Sequence, residues 1–246
     1  MHLRIRPLCV GTTDNFEKSI LTYFRNQGIK TEGPFIIWVI EGGDKTIVVD
    51  SGPADPEIVL KEPGRVYYRR KKEEPAQALK SLGLNPLDVE IVVCTHLHWD
   101  HCGNFSLFPN ANIYVQKKEL EFAVAPFEIF GDVYEASIYQ HNPKWISSMS
   151  RFRVIEGDMD LAPGVKLLHL PGHTPGLQGV LVTTRKGKYC ITSDAVNLYE
   201  NWENRIPPGI HIDIGDCYRS FRKIEVTSDY ILPSHDMKVL EKRVYP

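Results

Sequence analysis

Short apolar runs rich in β-branched residues, several of them ending at an aspartate or a histidine, constrain this chain most. "PFIIWVIE", "KTIVVD", "VEIVVC", "GVKLLHL", "LQGVLVTT", "KYCITSD" and "YILPSHD" are all strand-sized. Continuous apolar stretches of roughly four to eight residues, bounded by turn formers, read as buried strands. "HLRIRPLCV" alternates, and "FRVIEGD" adds a further strand. Helical segments are fewer. "EPAQALKSLGL" has proline near its start, apolar residues at helical spacing and Gly83 near its end; "KKELEFAV" and "GDCYRSFRKIEVTS" are the others. "SGPADPEIVLKEPGRVYYRRKKEEP" reads as a long excursion with little regular structure. Residues 124–150, with Phe127, Phe130, Tyr134, Tyr139 and Trp145, read as irregular or helical cover. No linker or low-complexity tract divides the chain, so one domain over residues 1–246 is expected. Many strands in each half, with few helices between them, predict two sheets packed face to face with helices outside.

The net charge of −2 argues against a general polyanion binder, so no nucleic-acid partner is expected. No apolar run approaches the roughly 18 residues of a membrane span, and the N-terminus lacks the apolar core of a signal peptide. Five cysteines, Cys9, Cys94, Cys102, Cys190 and Cys217, make an odd count without a C-x-x-C pair. That pattern predicts free thiols and a cytoplasmic location.

The stretch "THLHWDHCGN" follows one of the strands and holds His96, His98, Asp100 and His101 within six positions. With nine histidines and fourteen aspartates in 246 residues, composition alone would produce H-x-H-x-D-H on the order of 0.001 times per chain. His96 and His98 can point the same way from extended backbone, while Asp100 and His101 lie across a turn and can face a second ion. Further ligands are expected where other strands end: His173 in "LPGHTPG", Asp194 in "CITSDA" and His235 in "YILPSHD". Five histidines and two aspartates suit Zn2+ or a similar ion, with Mn2+, Fe2+ and Co2+ as alternatives. His2, His141 and His211 have no companion motif, and His169 reads as a strand residue.

In this order and spacing, "HLHWDH", "PGHTPG", "SDA" and "PSHD" resemble the metallo-β-lactamase superfamily over nearly the whole chain, beginning at "IVVDSG". The resemblance implies an α/β fold built as a four-layer αββα sandwich. It implies that His96, His98 and His173 hold one metal, that Asp100, His101 and His235 hold the other, and that Asp194 bridges them. Asp50 would support the metal-binding loop. Two divalent ions about 3.5–4 Å apart can share a water and lower its pKa towards ~7, which suits hydrolysis of an ester, lactone or thioester. No G-x-S-x-G motif is present, in keeping with a reaction that needs no serine nucleophile.

"IEGDMDLAPGVKLLHLPGHTPGLQ" and "NWENRIP" resemble the N-acyl-homoserine lactonase group in particular. That group usually carries a tyrosine three residues after the bridging aspartate, bonded to the substrate carbonyl. Here Asn197 stands there and Tyr199 follows two residues later, so both join Asp100 as candidate catalytic residues. The segment "GRVYYRRKK", with Arg65, Arg69, Arg70, Lys71 and Lys72, would border the cleft and favour an anionic substrate. The expected partner is a small-molecule ester or lactone, with the chain a monomer or homodimer. A mono-iron sulfur dioxygenase on the same fold and a thioester hydrolase are the alternatives.

Overall fold

The computed structural model describes residues 2–62 and 64–246. One sheet comprises Arg4–Glu17 (β1), Lys30–Glu41 (β2), Ile47–Val49 (β3), Ile91–Val93 (β4), Asn112–Gln116 (β5) and Phe152–Ile155 (β6), in that spatial order. The other comprises Met159–Ala162 (β7), Val165–His169 (β8), Gln178–Thr184 (β9), Gly187–Ser193 (β10) and Tyr230–Pro233 (β11), ordered β11-β10-β9-β8-β7. β1, β2 and β3 are antiparallel to one another, whereas β3 to β6 are parallel. β7 to β10 form an antiparallel meander, and β11 pairs with β10 in parallel. Parallel neighbours need crossovers, and these carry the helices Pro75–Lys80, Lys117–Val124 and Ile214–Thr227.

The continuous apolar runs have a physical cause here, since both faces of the central strands are covered. On β2, Phe35, Ile37 and Val39 pack with the helix residues Ala78, Leu79 and Ala123, while Ile36, Trp38 and Ile40 face the second sheet. Val180, Val182, Tyr189 and Ile191 meet them there. On the far side, Leu181 and Cys190 pack against Phe221 and Ile224 of the last long helix. Three apolar seams therefore separate four layers, αββα. Each fully buried side chain of this size contributes roughly 1.5–3 kcal/mol.

Some local detail departs from expectation. Asp100 and His101, expected across a turn, lie on the short helix Trp99–Cys102, which starts after His98. β7 and the helix Tyr199–Asn204 are additional elements, and the 51–75 excursion contains the short helix Pro56–Val59. All five cysteines are free. Among the described residues, no helix is long and apolar enough to cross a membrane.

Candidate metal centre

β3 and β4 are parallel with Val49 opposite Val93, and β10 and β11 are parallel with Ser193 opposite Pro233. Their carboxyl ends meet along one edge of the sandwich, where the residues that follow each strand converge. Asp50 and the histidine-rich segment come from the first sheet, and Asp194 and His235 from the second. His173 arrives from the turn after β8, which runs in the same direction as β10. Asp50 (φ 62) and Ser193 (φ 47) adopt left-handed backbone at these strand ends, a conformation uncommon outside glycine. Gly172, at φ +138, lies so close to the last long helix that a Cβ would come 2.6 Å from Cys217 N. Only glycine lets the His173 turn dock there.

Asp194 sits between two groups of rings. Its Oδ2 is 3.4 Å from His173 Nε2 and 3.9 Å from His96 Nε2. Its Oδ1 is 3.3 Å from both His101 Nε2 and His235 Nε2. Asp100 Oδ2 lies 3.6 Å from His101 Nε2 and 3.7 Å from His235 Nε2. His98 turns its Nδ1 to within 3.1 Å of His173 Nε2. Ligand atoms of His96, His98 and His173 form one compact group, and those of Asp100, His101 and His235 another. All seven residues are buried or nearly so.

Hydrogen bonds on the outer side of the rings decide which nitrogens face inward. His173 Nδ1 donates to the Ile210 carbonyl at 2.7 Å, and His235 Nδ1 to that of Pro34 at 3.0 Å. His101 Nδ1 is held by Asp50 Oδ2 at 2.8 Å. With Nδ1 carrying the proton, each Nε2 presents a lone pair to the Asp194 or Asp100 carboxylate. Lone pairs aimed at carboxylate oxygens repel unless a cation, a proton or a metal ion, lies between them. Four buried polar atoms in this cluster, His96 Nε2, His98 Nε2, His101 Nε2 and Asp194 Oδ1, have no hydrogen-bond partner among the described residues, which is costly without a ligand. The donor set therefore fits a metal cation.

The carboxylates pull on protons as they would on a metal. Burial works against a charged His101, but the facing Asp100, Asp194 and Asp50 carboxylates hold it well above the ordinary imidazole range. His235 is likewise raised against burial, by Asp194 and Asp100. His96 and His98 are pushed well below that range, by burial first and then by neighbouring imidazoles. Burial opposes ionisation of Asp194, yet His235 and His101 keep its pKa well below the usual carboxylate value.

The cluster forms the floor of a cleft of about 280 Å3. Asn197 lines this cleft; its Nδ2 donates to the Leu21 carbonyl at 3.2 Å. Tyr199 does not line it. Its hydroxyl points away to the Ile231 carbonyl at 3.4 Å, because the helix Tyr199–Asn204 begins here and turns that side chain toward the sheet core. Tyr199, a candidate catalytic residue from the sequence, is placed by this structure in the packing of the sheet core. Of the five cations in the basic segment, only Arg65 reaches the cleft wall. It is pinned by Glu135 Oε1 at 2.9 Å and the Asp132 carbonyl at 2.6 Å, with its guanidinium 4.5 Å above the Trp99 ring. Arg69 donates to the Val10 and Pro53 carbonyls, Arg70 pairs with Glu73, and Lys71 and Lys72 are exposed elsewhere. Sequence reasoning missed Thr95 and Ser193. Ser193 Oγ donates to Thr95 Oγ1 and Thr95 Oγ1 to Asp50, each at 2.8 Å, so a hydroxyl chain ties the two sheets behind the histidines.

A sandwich with a His/Asp metal-binding cluster at one sheet edge defines a metalloprotein of the αββα class. The model of the metallo-beta-lactamase superfamily matches residues 37–235, and the chain belongs to that superfamily. It is 33% identical over 189 residues to an N-acyl homoserine lactonase of Bacillus sp, covering 71% of this chain and 68% of that one. Identity to the N-acyl homoserine lactonase AttM of Rhizobium radiobacter is 32% over 220 residues, 84% of this chain and 80% of the relative. A crystal structure of a B. thuringiensis AiiA variant, with N-decanoyl-L-homoserine bound at its active site, superposes with a TM-score of 0.80 at 25% identity. That match covers 98% of this chain and 96% of the other.

Proposed function

We propose that this chain, residues 1–246 acting as one catalytic unit, is a metal-dependent hydrolase that opens a lactone or similar carboxylic ester, as its N-acyl homoserine lactonase relatives do. The observation that carries this reading is Asp194, whose two oxygens face separate histidine groups. In this reading His96, His98 and His173 hold one divalent ion, Asp100, His101 and His235 hold a second, and Asp194 is shared. Zinc is the proposed ion, and Mn2+, Fe2+ or Co2+ suit the same donors. Two such ions, when bound, supply Lewis acidity and a water that ionises near neutral pH.

The chain's own residues do the rest. Asn197 spends one amide N–H on the Leu21 carbonyl and keeps a second, which is proposed to receive the substrate carbonyl oxygen. Addition of water to the carbonyl releases a proton and ring opening leaves an alkoxide that needs one; Asp100, a carboxylate that lines the cleft, is proposed to take up the first proton and pass it to the alkoxide. Phe16, Ile20, Leu21, Val66 and Val133 give the cleft apolar walls for the rest of the substrate and limit water entry.

Metal content per chain by elemental analysis, with a turnover screen of lactones, thioesters and β-lactams on the same preparation, tests the proposal. Two ions per chain with lactone opening is the expected result. One iron per chain with oxygen uptake and no lactone turnover would overturn it in favour of a dioxygenase.

A further inference from the structure

Glu119 is fully buried on the first turn of the helix Lys117–Val124, yet it forms no ion pair among the described residues. Its Oε1 accepts from the Leu97 backbone N–H and the Tyr134 hydroxyl, both at 2.9 Å. Its Oε2 accepts from the Thr174 hydroxyl at 2.6 Å and the Gly176 N–H at 3.2 Å. Leu97 lies between His96 and His98. Thr174 and Gly176 lie one and three residues after His173, and the Tyr134 ring packs edge-on against His98, with centroids 4.6 Å apart. All four donors thus belong to segments that carry or touch one metal subsite.

The approach is close as well as polar. A Cβ on Gly176 would come 2.1 Å from Glu119 N, so the His173 loop rests directly on the start of this helix. An acceptor-only side chain with two oxygens is the group that can satisfy four converging donors at once. Burial pushes the Glu119 carboxyl above its ordinary range, and the four donors offset only part of that. A buried carboxylate is retained here at a cost that packing alone would not require.

We propose that Glu119 is a positioning residue for the His96/His98/His173 subsite, locking the two loops that present these rings at the spacing a metal needs. It does for this subsite what Asp50 does for His101, but through backbone and hydroxyl groups rather than through a ring. The inference rests on the reading of the three histidines as metal ligands.

The test is a cobalt titration of metal-stripped protein, followed by visible absorption and by competition with a chelator. Wild type is expected to bind two equivalents; failure of the wild type to bind cobalt would count against the metal reading itself, before any variant is measured. Glu119→Gln is expected to keep one ion near wild-type affinity and to bind the other about 10–100-fold more weakly. The band of its retained ion should match that of His98→Ala, in which the same subsite is dismantled. Equal weakening of both ions, or two wild-type affinities with an unchanged spectrum, would overturn the proposal. If Glu119→Gln does not fold, Thr174→Val decides: selective weakening of one ion supports the proposal, and unchanged binding of both refutes it.

Discussion

Asp50 Oδ2 lies 2.8 Å from His101 Nδ1, and the same carboxylate accepts the Thr95 N–H and hydroxyl at 2.8 Å each. One buried acid thus fixes a ring orientation and the path of the backbone that leads into His96. Asp50→Asn keeps the shape but can no longer accept all three. A loss of roughly 10–100-fold in metal affinity or turnover is expected, with the fold retained. Chelator competition and circular dichroism on one sample would check this; wild-type affinity in the variant would contradict it.

Asp194 offers one oxygen to each histidine group. Asp194→Ala is expected to reduce the bound metal below two per chain and to lower kcat by at least about 100-fold. Asp100→Ala and His98→Ala should likewise abolish turnover with the fold largely intact. Full activity in any of the three would be incompatible with the proposed site.

Asn197 and Tyr199 separate two explanations for the same role. Asn197→Ala should lower kcat by about 10–100-fold, since a donor to the developing oxyanion is lost. Tyr199→Phe should leave kcat within about twofold and cost about 1 kcal/mol of stability. Steady-state kinetics on both variants would show the reverse order if the tyrosine moved into the cleft on binding.

Arg65 and Arg69 divide similarly. Arg65 lines the cleft, so Arg65→Ala should change KM for carboxylate-bearing lactones more than for neutral ones. Arg69 bonds two buried carbonyls, at 2.8 Å and 2.6 Å. Its replacement by alanine should cost roughly 1–3 kcal/mol without altering substrate preference. Preference that shifts with Arg69 and not with Arg65 would reverse this assignment.

Glu200 anchors the helix Tyr199–Asn204 to the cleft wall through Lys18 and Asn26. The Lys18 hydrogen bond holds its carboxyl below the ordinary range against burial, with Asn26 assisting. A depressed acid stabilises the fold above its unfolded pKa, and that contribution is lost as pH falls through the folded value. Glu200→Gln should therefore cost about 0.5 kcal/mol at neutral pH, the usual worth of a partly exposed pair. The difference from wild type should vanish in acid; a constant difference in melts from pH 7 down to pH 3 would exclude this origin.

Much of the architecture was legible because burial on both faces leaves unbroken apolar runs. "FIIWVI" could only be a central strand, and "KKELEFAV" matches its helix from end to end. β7 escaped notice because "MDLA" is short and none of its residues is fully buried. The histidine and aspartate positions stood out by spacing. Which oxygen faces which ring did not, because that depends on the parallel registers of β3 with β4 and of β10 with β11, set by contacts remote in sequence. Glu119 did not stand out in a lysine- and glutamate-rich segment. Its signal was available, since it shares a helix face with Ala123 one turn on, and both are buried.

His96, His98, Asp100 and His101 leave the first sheet, and His173, Asp194 and His235 leave the second. Cations held among them would rivet the two halves of the sandwich at one edge, and each bound ion adds stability that grows with the logarithm of its free concentration. Catalytic readiness and resistance to unfolding then become one quantity, governed by metal supply. A cell starved of the ion would lose the activity and expose the chain to proteolysis in the same step.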